Sequence, residues 1–119
     1  MSTEEAREAP GLGTNIFYDV NMRDDPRWME RAVESLGDRP VYITIDVDGM
    51  DPAIMPATGT PEPGGLSWYE MLKLLRATFR RRTVVACDVV ELSPLPGVMA
   101  PNFLCAKLIY KMLTYRFAR

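Results

Sequence analysis

The chain has 119 residues, of which 47% are hydrophobic and 25% charged, a composition typical of a globular protein. This length favours a single domain and leaves little room for a second core. No apolar run approaches the roughly 20 residues of a membrane span, and no signal-peptide pattern opens the chain. Fourteen basic and sixteen acidic residues give a net charge of −2. We therefore expect no nucleic-acid or membrane partner, whereas a small cationic ligand fits this charge.

The sequence contains no histidine. This excludes Ser-His-Asp and Cys-His catalysis by the chain alone, and it excludes zinc sites built on imidazole. A metal bound by the chain alone must use oxygen ligands, which suit manganese, magnesium or calcium. The two cysteines, Cys87 and Cys105, are too few for a disulfide framework. Both fall in apolar segments, so we predict buried, reduced thiols in a cytoplasmic protein.

Short elements are predicted in the first third of the chain. Residues 1–14 are polar and small, which indicates a tail or a frayed helix. Residues 16–18 form a short apolar run that predicts a strand. A helix is predicted after Asp25 and Pro26, because these residues supply a cap and a first-turn proline, and Gly37 is expected to end it. Its apolar positions at helical spacing are Trp28, Met29, Ala32, Val33 and Leu36.

The middle of the chain predicts a buried strand followed by a long loop. Residues 41–47 are β-branched and almost continuously apolar, as in a strand that is buried on both faces of a parallel sheet. Residues 49–65 are rich in proline and glycine and cannot form regular structure. At about 17 residues this loop exceeds the usual connection, and such loops are often functional. Ser67 and Glu70 then form a capping box that starts a helix.

The last part of the chain predicts a second strand and a final helix. The strand covers residues 83–90, and prolines punctuate the loop that follows it. The final helix is expected to bury its apolar positions Phe103, Leu104, Leu108, Ile109, Met112 and Leu113. Strands that alternate with helices predict a three-layer α/β/α structure with a parallel sheet. Ligands of such sheets bind beyond the carboxyl ends of the strands.

Two acidic residues close the first strong strand. Asp46 and Asp48 are two positions apart, so their carboxylates point to one face while the strand continues. At a separation of about 4 Å and an effective dielectric of 20, two such charges repel by roughly 4 kcal/mol. A proton, a basic partner or a cation must offset this repulsion, and a hard divalent metal is suited to do so. The alternative is a helix cap or a turn, since Asp-Gly and Asp-Pro are common turn formers. Met50 at the third ligand position excludes an EF-hand.

A third acidic residue, Glu91, follows the second strand. A carboxylate at this end of the sheet can bind a guanidinium through two parallel hydrogen bonds, although a surface-loop glutamate is the alternative. Asp88, inside the strand, is predicted to be a supporting or structural group. The loop glycines match no phosphate-binding pattern. Arg80–Arg82 is interpreted as a solvated helix end, where positive charge favours the helix dipole.

Two segments together resemble the signature of the ureohydrolase family, which contains arginase, agmatinase and guanidinobutyrase. They are residues 44–52, with the sequence TIDVDGMDP, and residues 56–65, with the sequence PATGTPEPGG. Residues 88–94, with the sequence DVVELSP, resemble the next block of that family. The resemblance covers the chain from about Asn15 onward.

Individual residues within these segments can be compared with the pattern of the family. Glu62 and Pro63 in the glycine loop are more similar to the agmatinase branch than to arginase itself. Thr44 stands where the family usually has serine, and Ser93 stands where many members have asparagine. Neither difference touches a proposed ligand.

The resemblance implies a partial arginase-like fold over residues 15–119 and the hydrolysis of agmatine or a similar guanidino compound to urea and an amine. In such enzymes the nucleophile is a hydroxide that bridges two manganese ions. By resemblance, Asp46 would bridge both ions and Asp48 would chelate one. Glu91 would receive the substrate guanidinium, and Thr60 would support the substrate from the loop. No directly catalytic residue is assigned in this chain.

The main departure concerns the remaining metal ligands of the family. They are a histidine and an Asp-x-His-x-Asp cluster, and this sequence contains neither. Two carboxylates alone would hold a divalent ion weakly. We therefore expect the carboxyl-terminal part of such an enzyme, inactive alone, through truncation, gene splitting or an incomplete reading frame. Uncovered apolar surface favours a homo-oligomer or association with an amino-terminal half. The alternatives are a non-catalytic binding or assembly module and a remnant without function.

Overall fold

The structure, a computed structural model, describes residues 3–118. In this range the elements are α1 (Thr3–Glu8), a 3-10 turn (Ala9–Leu12), α2 (Asp19–Asp24), α3 (Trp28–Ser35), β1 (Val41–Asp46), a 3-10 turn (Val47–Gly49), α4 (Trp68–Arg81), β2 (Val84–Val90) and α5 (Ala100–Phe117). The predicted tail or frayed helix over residues 1–14 is partly helical, and residues 1 and 2 lie outside the described range. Among the described helices, none combines the length and the apolar character that a membrane crossing requires.

Within residues 3–118, β1 and β2 form a two-stranded parallel sheet in which Asp46 lies opposite Val90. Successive side chains of β1 point to opposite faces. Ile45 on one face is 5% exposed, whereas Tyr42 on the other face is 58% exposed. Because the two strands run parallel, their carboxyl ends meet at one edge of the sheet, as predicted.

The helices α4 and α5 cover the apolar face of this sheet. The predicted capping box of α4 is present, because Ser67 Oγ accepts from Glu70 N–H at 3.3 Å and the Glu70 carboxylate accepts from Ser67 N–H at 2.8 Å. The core also takes in the loop after β1. Its buried members are Ile45, Val47, Met50, Met55, Ala57, Met71, Leu72, Leu75, Cys105, Leu108 and Met112. The α/β class with a parallel sheet is thus confirmed, and the opposite face of the sheet is exposed in the described part of the chain.

The helix α3 is attached to this body through Arg82. Its Nε donates to the carbonyl oxygen of Val33 at 2.9 Å, and a terminal nitrogen donates to that of Glu34 at 3.4 Å. These carbonyls lie in the last turn of α3, where a cation also interacts favourably with the helix dipole. Gly37 follows with a φ of 63°, in the left-handed region expected after a helix. The predicted stop of this helix is confirmed, while its first residue is Trp28 rather than Pro26.

Two strand predictions need correction. Residues 14–18 are irregular, so the strand predicted at 16–18 is wrong. A short apolar run forms a strand only where a neighbour supplies hydrogen bonds, and no described strand pairs with this segment. The strand predicted over residues 41–47 ends at Asp46 instead. Asp46 Oδ1 accepts from Asp48 N–H at 3.1 Å, and this hydrogen bond turns the chain into a 3-10 turn.

Two burial predictions are also wrong in part. Cys105 is buried as expected, but Cys87 is exposed. Cys87 lies on β2, whose outer edge carries no further strand in the described range. On α5, Leu108 and Met112 are buried, whereas Phe103, Ile109 and Leu113 are exposed by 72%, 45% and 50%. Only the side of α5 that faces α4 and the sheet enters the core.

Candidate metal and substrate site

Three carboxylates gather at the carboxyl edge of the sheet. Asp46 is the last residue of β1, and Asp48 lies in the turn directly after it. Glu91 comes directly after Val90, the residue opposite Asp46 in the strand register. The structure therefore places these residues beyond the ends of neighbouring strands, as predicted. Open α/β sheets bind their ligands at this position.

The pKa values of Asp46 and Asp48 are shifted in opposite directions. Partial burial, a hydrogen bond to the carboxylate of Asp48 and the charges of Asp48 and Glu91 together raise the pKa of Asp46. The pKa of Asp48 is lowered, first by the hydroxyl of Thr60 and then by the carboxyl of Asp46. These surroundings disfavour the charged form of Asp46 and favour that of Asp48. A nearby cation would offset the repulsion between the two carboxylates.

Thr60 lies against this pair although it comes from the middle of the long loop. Its Oγ1 donates a hydrogen bond to Oδ2 of Asp48. The family resemblance implied that Thr60 supports the substrate, and the structure places it in contact with Asp48, a residue that the resemblance makes a metal ligand. Thr60 and Asp48 are joined only by irregular chain, so this contact depends on how the loop is folded.

The base of the loop is closed by backbone contacts. Leu66 N–H donates to the carbonyl oxygen of Gly49 at 2.9 Å, and Asp51 N–H donates to that of Leu66 at 3.1 Å. A Cβ on Gly65 would lie 2.5 Å from the carbonyl carbon of Met50, so only glycine allows this approach. The two ends of the loop are thus held together beside the strand end that carries Asp46.

A second tie connects the loop to the segment after β2. Ser93 N–H donates to the carbonyl oxygen of Ala57 at 2.8 Å. Ala57 itself is fully buried. Glu91, two residues before Ser93, has a φ of 64°, which is the left-handed region that residues with a side chain rarely adopt. Such a conformation costs about 1–3 kcal/mol and is found mainly at functional sites.

Asp88 lies within the sheet, away from its carboxyl edge. It is opposite Thr44 in the strand register, and the hydroxyl of Tyr42 donates a hydrogen bond to its Oδ2. Hydrogen bonds from Tyr42 and then Thr44 lower the pKa of Asp88. Its partners are side chains of the sheet face, and the supporting role of Asp88 stays a prediction.

The described residues provide only part of a metal site. In residues 3–118, no group of three or more Cys, Asp or Glu side chains is arranged to hold a metal ion. Asp46 and Asp48 offer a pair of carboxylates whose mutual repulsion a cation can offset, so the donors present fit part of a manganese coordination sphere.

Sequence reasoning missed one further residue near the site, Arg23. Its terminal nitrogen donates to the carbonyl oxygens of Gly64 and Gly65. These partners lie more than 40 positions along the chain, beyond the reach of any local pattern. No signal in the sequence could therefore have identified this contact.

The sequence matches the model of the arginase family over residues 1–114. With the strand-end carboxylates described above, this match shows that the chain belongs to the arginase family. The likeness that residues 44–65 and 88–94 indicated is therefore confirmed.

Individual relatives are ureohydrolases and an amidinohydrolase. The chain is 45% identical over 100 residues to an N(1)-aminopropylagmatine ureohydrolase of Synechocystis sp., covering 84% of this chain and 33% of that protein. The solved agmatine ureohydrolase of Thermoplasma volcanium matches with a TM-score of 0.80 and 31% identity over 97% of this chain and 39% of that chain. The proclavaminate amidino hydrolase of Streptomyces clavuligerus matches with a TM-score of 0.81 and 30% identity over 98% and 40%.

These relatives confirm the partial arginase-like fold and the hydrolase class of the family. The chain spans about a third of the curated relative from Synechocystis, 33% of its length.

Proposed function

We propose that this chain supplies the carboxylate side of an agmatinase-like ureohydrolase site that cleaves a guanidino compound to urea and an amine. The observation that carries this proposal is the meeting of Asp46, Asp48 and Glu91 at one sheet edge, with Thr60 donating to Asp48. The proposal also uses the family membership of the chain.

Asp46 and Asp48 would hold the manganese of the site. When bound, paired divalent ions lower the pKa of a bound water towards neutrality and so supply a nucleophile. The charges of Asp48 and Glu91, which contribute to the raised pKa of Asp46, would be offset by a bound cation. The Thr60 hydroxyl donates to one oxygen of Asp48 and so helps to orient this carboxylate.

Glu91 is proposed to bind the substrate guanidinium. A carboxylate can accept two parallel hydrogen bonds from a guanidinium, which fixes the plane of the group. The strained backbone at Glu91 sets the side chain at the end of β2, close enough for its charge to raise the pKa of Asp46. The relatives are named for their action on aminopropylagmatine, agmatine and proclavaminate. We therefore propose a linear guanidino substrate of the agmatine type.

Activity is proposed to require histidine ligands from outside these 119 residues, because the chain contains no histidine. The chain alone would then bind manganese weakly, with water in most of the coordination positions, and would release no urea. Exposed apolar side chains on α5 favour association with a histidine-bearing half or with further copies of the chain. The free thiols Cys87 and Cys105 suit a proposed cytoplasmic location.

Manganese titration of the purified chain, followed by the paramagnetic resonance signal of free Mn²⁺, tests the carboxylate pair. We expect Asp46→Asn and Asp48→Asn each to abolish measurable binding. Asp24→Asn, at an exposed position of α2, is the matched control and should bind like the unaltered chain. Equal binding by all four proteins would show that the proposed pair is not the site.

A second experiment addresses the function of the assembled protein. The chain is mixed with the histidine-bearing amino-terminal part of a related ureohydrolase, and urea release from agmatine is measured. Urea release that Glu91→Gln abolishes supports the hydrolase proposal. Stable association without urea release supports the second candidate, a non-catalytic assembly module, which the absence of histidine from the chain favours.

A further inference from the structure

The side chain of Arg23, on α2, joins three separate parts of the chain. One terminal nitrogen donates to the carbonyl oxygens of Gly64 and Gly65, the latter at 3.1 Å. The same nitrogen lies 3.2 Å from a carboxylate oxygen of Asp19, and the other lies 3.5 Å from Glu70. The guanidinium thus links α2 to the end of the long loop and to the first turn of α4.

These contacts differ from an ordinary surface ion pair. A single exposed pair contributes little, about 0–1 kcal/mol, because water screens it. Arg23 instead donates charge-assisted hydrogen bonds to two successive backbone carbonyls, which fixes the direction of the chain at Gly64 and Gly65. Gly64 has a φ of 92°, and a Cβ there would lie 3.1 Å from Oδ2 of Asp19. The turn therefore packs closely against α2.

The segment between this turn and Thr60 is stiff. It reads Pro61-Glu62-Pro63, and each proline ring holds its φ near −65°. A stiff spacer transmits the position of one end to the other, because few torsions are free to absorb a displacement. Fixing Gly64 therefore restricts where Thr60 can lie. On the other side, Ala57 is held by Ser93, so the loop tip at residues 58–60 lies between two anchors.

We propose that Arg23 is a positioning residue that holds the Thr60 hydroxyl on Asp48 by clamping the turn at Gly64 and Gly65. Its role in substrate turnover depends on the proposed function, since Asp48 and Thr60 belong to that site. The clamp itself can be tested without metal or substrate. Failure of the clamp and failure of the proposed function therefore give different results.

The test compares Arg23→Gln, Arg23→Lys and the control Arg27→Gln by NMR at neutral pH without metal. Arg27 bears the same charge near the end of α2, but it pairs locally with Glu30 at 2.9 Å. Exchange of the amide hydrogen of Leu66, which donates to the carbonyl oxygen of Gly49, should rise about tenfold or more in Arg23→Gln, while β1 and α4 keep their protection. Arg23→Lys keeps a donor for the carbonyls and should restore part of this protection. Arg27→Gln should change nothing in the loop.

A spectroscopic signal separates positioning from a merely structural role. The carboxyl carbon resonance of Asp48 in Arg23→Gln should move towards the position that it has in Thr60→Val, where the hydroxyl is absent. Faster exchange in the loop with an unmoved Asp48 resonance would overturn the proposal. Equal loosening of the loop by Arg27→Gln, or identical exchange in all four proteins, would overturn it as well. A lack of manganese binding by the unaltered chain would instead count only against the proposed function.

Discussion

The hydroxyl of Thr60 donates a hydrogen bond to Oδ2 of Asp48, twelve positions earlier in the chain. The contact joins the tip of the long loop to the turn after β1, and it is the largest cause of the lowered pKa of Asp48. The loop and the strand end therefore form one site, in which the pKa of each carboxyl depends in part on a side chain distant in sequence.

Replacing Thr60 by valine should raise the pKa of Asp48 towards its ordinary value of 3.8, because the hydroxyl that stabilises the carboxylate is lost. A lowered pKa stabilises the folded state above the ordinary value, and that contribution disappears as the pH falls through the lowered pKa. The substitution should therefore reduce stability at neutral pH but not in strong acid. An NMR titration of Asp48 measures the shift, with Thr83→Val, at an exposed position before β2, as the control. An unchanged titration would show that Thr60 does not act on Asp48 in solution.

Asp46→Asn should raise the melting temperature at pH 7 without metal. The raised pKa of Asp46 means that the folded chain holds its proton more tightly than the unfolded chain does. Stability is therefore lost as the pH rises through that raised pKa, and an amide avoids this loss. Melting curves between about pH 3 and pH 8 check the sign, since the gain should vanish in acid. With Mn²⁺ present, the unaltered chain should gain stability from binding and Asp46→Asn should not. A melting temperature below that of the unaltered chain at pH 7 would refute this account of Asp46.

Gly65→Ala should destabilise the chain by about 1–3 kcal/mol, because the added methyl group meets the backbone rather than a side chain that can move. The new Cβ would lie 2.5 Å from the carbonyl carbon of Met50 and 2.7 Å from the nitrogen of Asp51. Gly59→Ala is the matched control, since nothing lies within 4 Å of its Cβ position. Urea denaturation of both variants provides the comparison. Equal stability of the two would mean that the loop base is not closely packed.

Ser67→Ala should cost about 1 kcal/mol by removing the cap of α4. The serine also lowers the pKa of Glu70, so the loss should shrink as the pH falls through that lowered value. The control is Ser35→Ala, whose hydroxyl bonds only to the carbonyl oxygen of Ala32 in its own helix. Chemical denaturation at neutral and acid pH measures both. A loss of stability that does not depend on pH would show that Ser67 does not lower the pKa of Glu70 in solution.

The two cysteines should differ in reactivity. Cys87 is exposed, whereas Cys105 is buried, and burial raises the pKa of its thiol. Under native conditions at neutral pH, a thiol reagent should modify Cys87 rapidly and Cys105 only after unfolding. Mass spectrometry of digests from timed reactions distinguishes the sites. Protection of Cys87 in solution would indicate that β2 is covered in an oligomer.

Local patterns in the amino-acid sequence were enough to predict the two paired strands, the capped helix α4 and the acidic residues of the site. These features depend on neighbouring positions: a run of β-branched residues, a Ser67–Glu70 cap, and carboxylates placed directly after strands. The family motifs over residues 44–65 and 88–94 are likewise local strings of residues. Parallel pairing then brings the strand ends together, because parallel strands end at the same edge of a sheet.

Long-range packing, in contrast, determined which surfaces are buried and which side chains distant in sequence come into contact. The exposure of Cys87, the irregular chain at residues 14–18 and the half-exposed helix α5 depend on whether another element packs beside them. The clamp of Arg23 on Gly64 and the bond between Thr60 and Asp48 join segments with no periodic relation. The positive φ of Glu91 is a local strain that only surrounding contacts can maintain. No short pattern of residues encodes such features, because each depends on a partner that the folded chain brings from elsewhere.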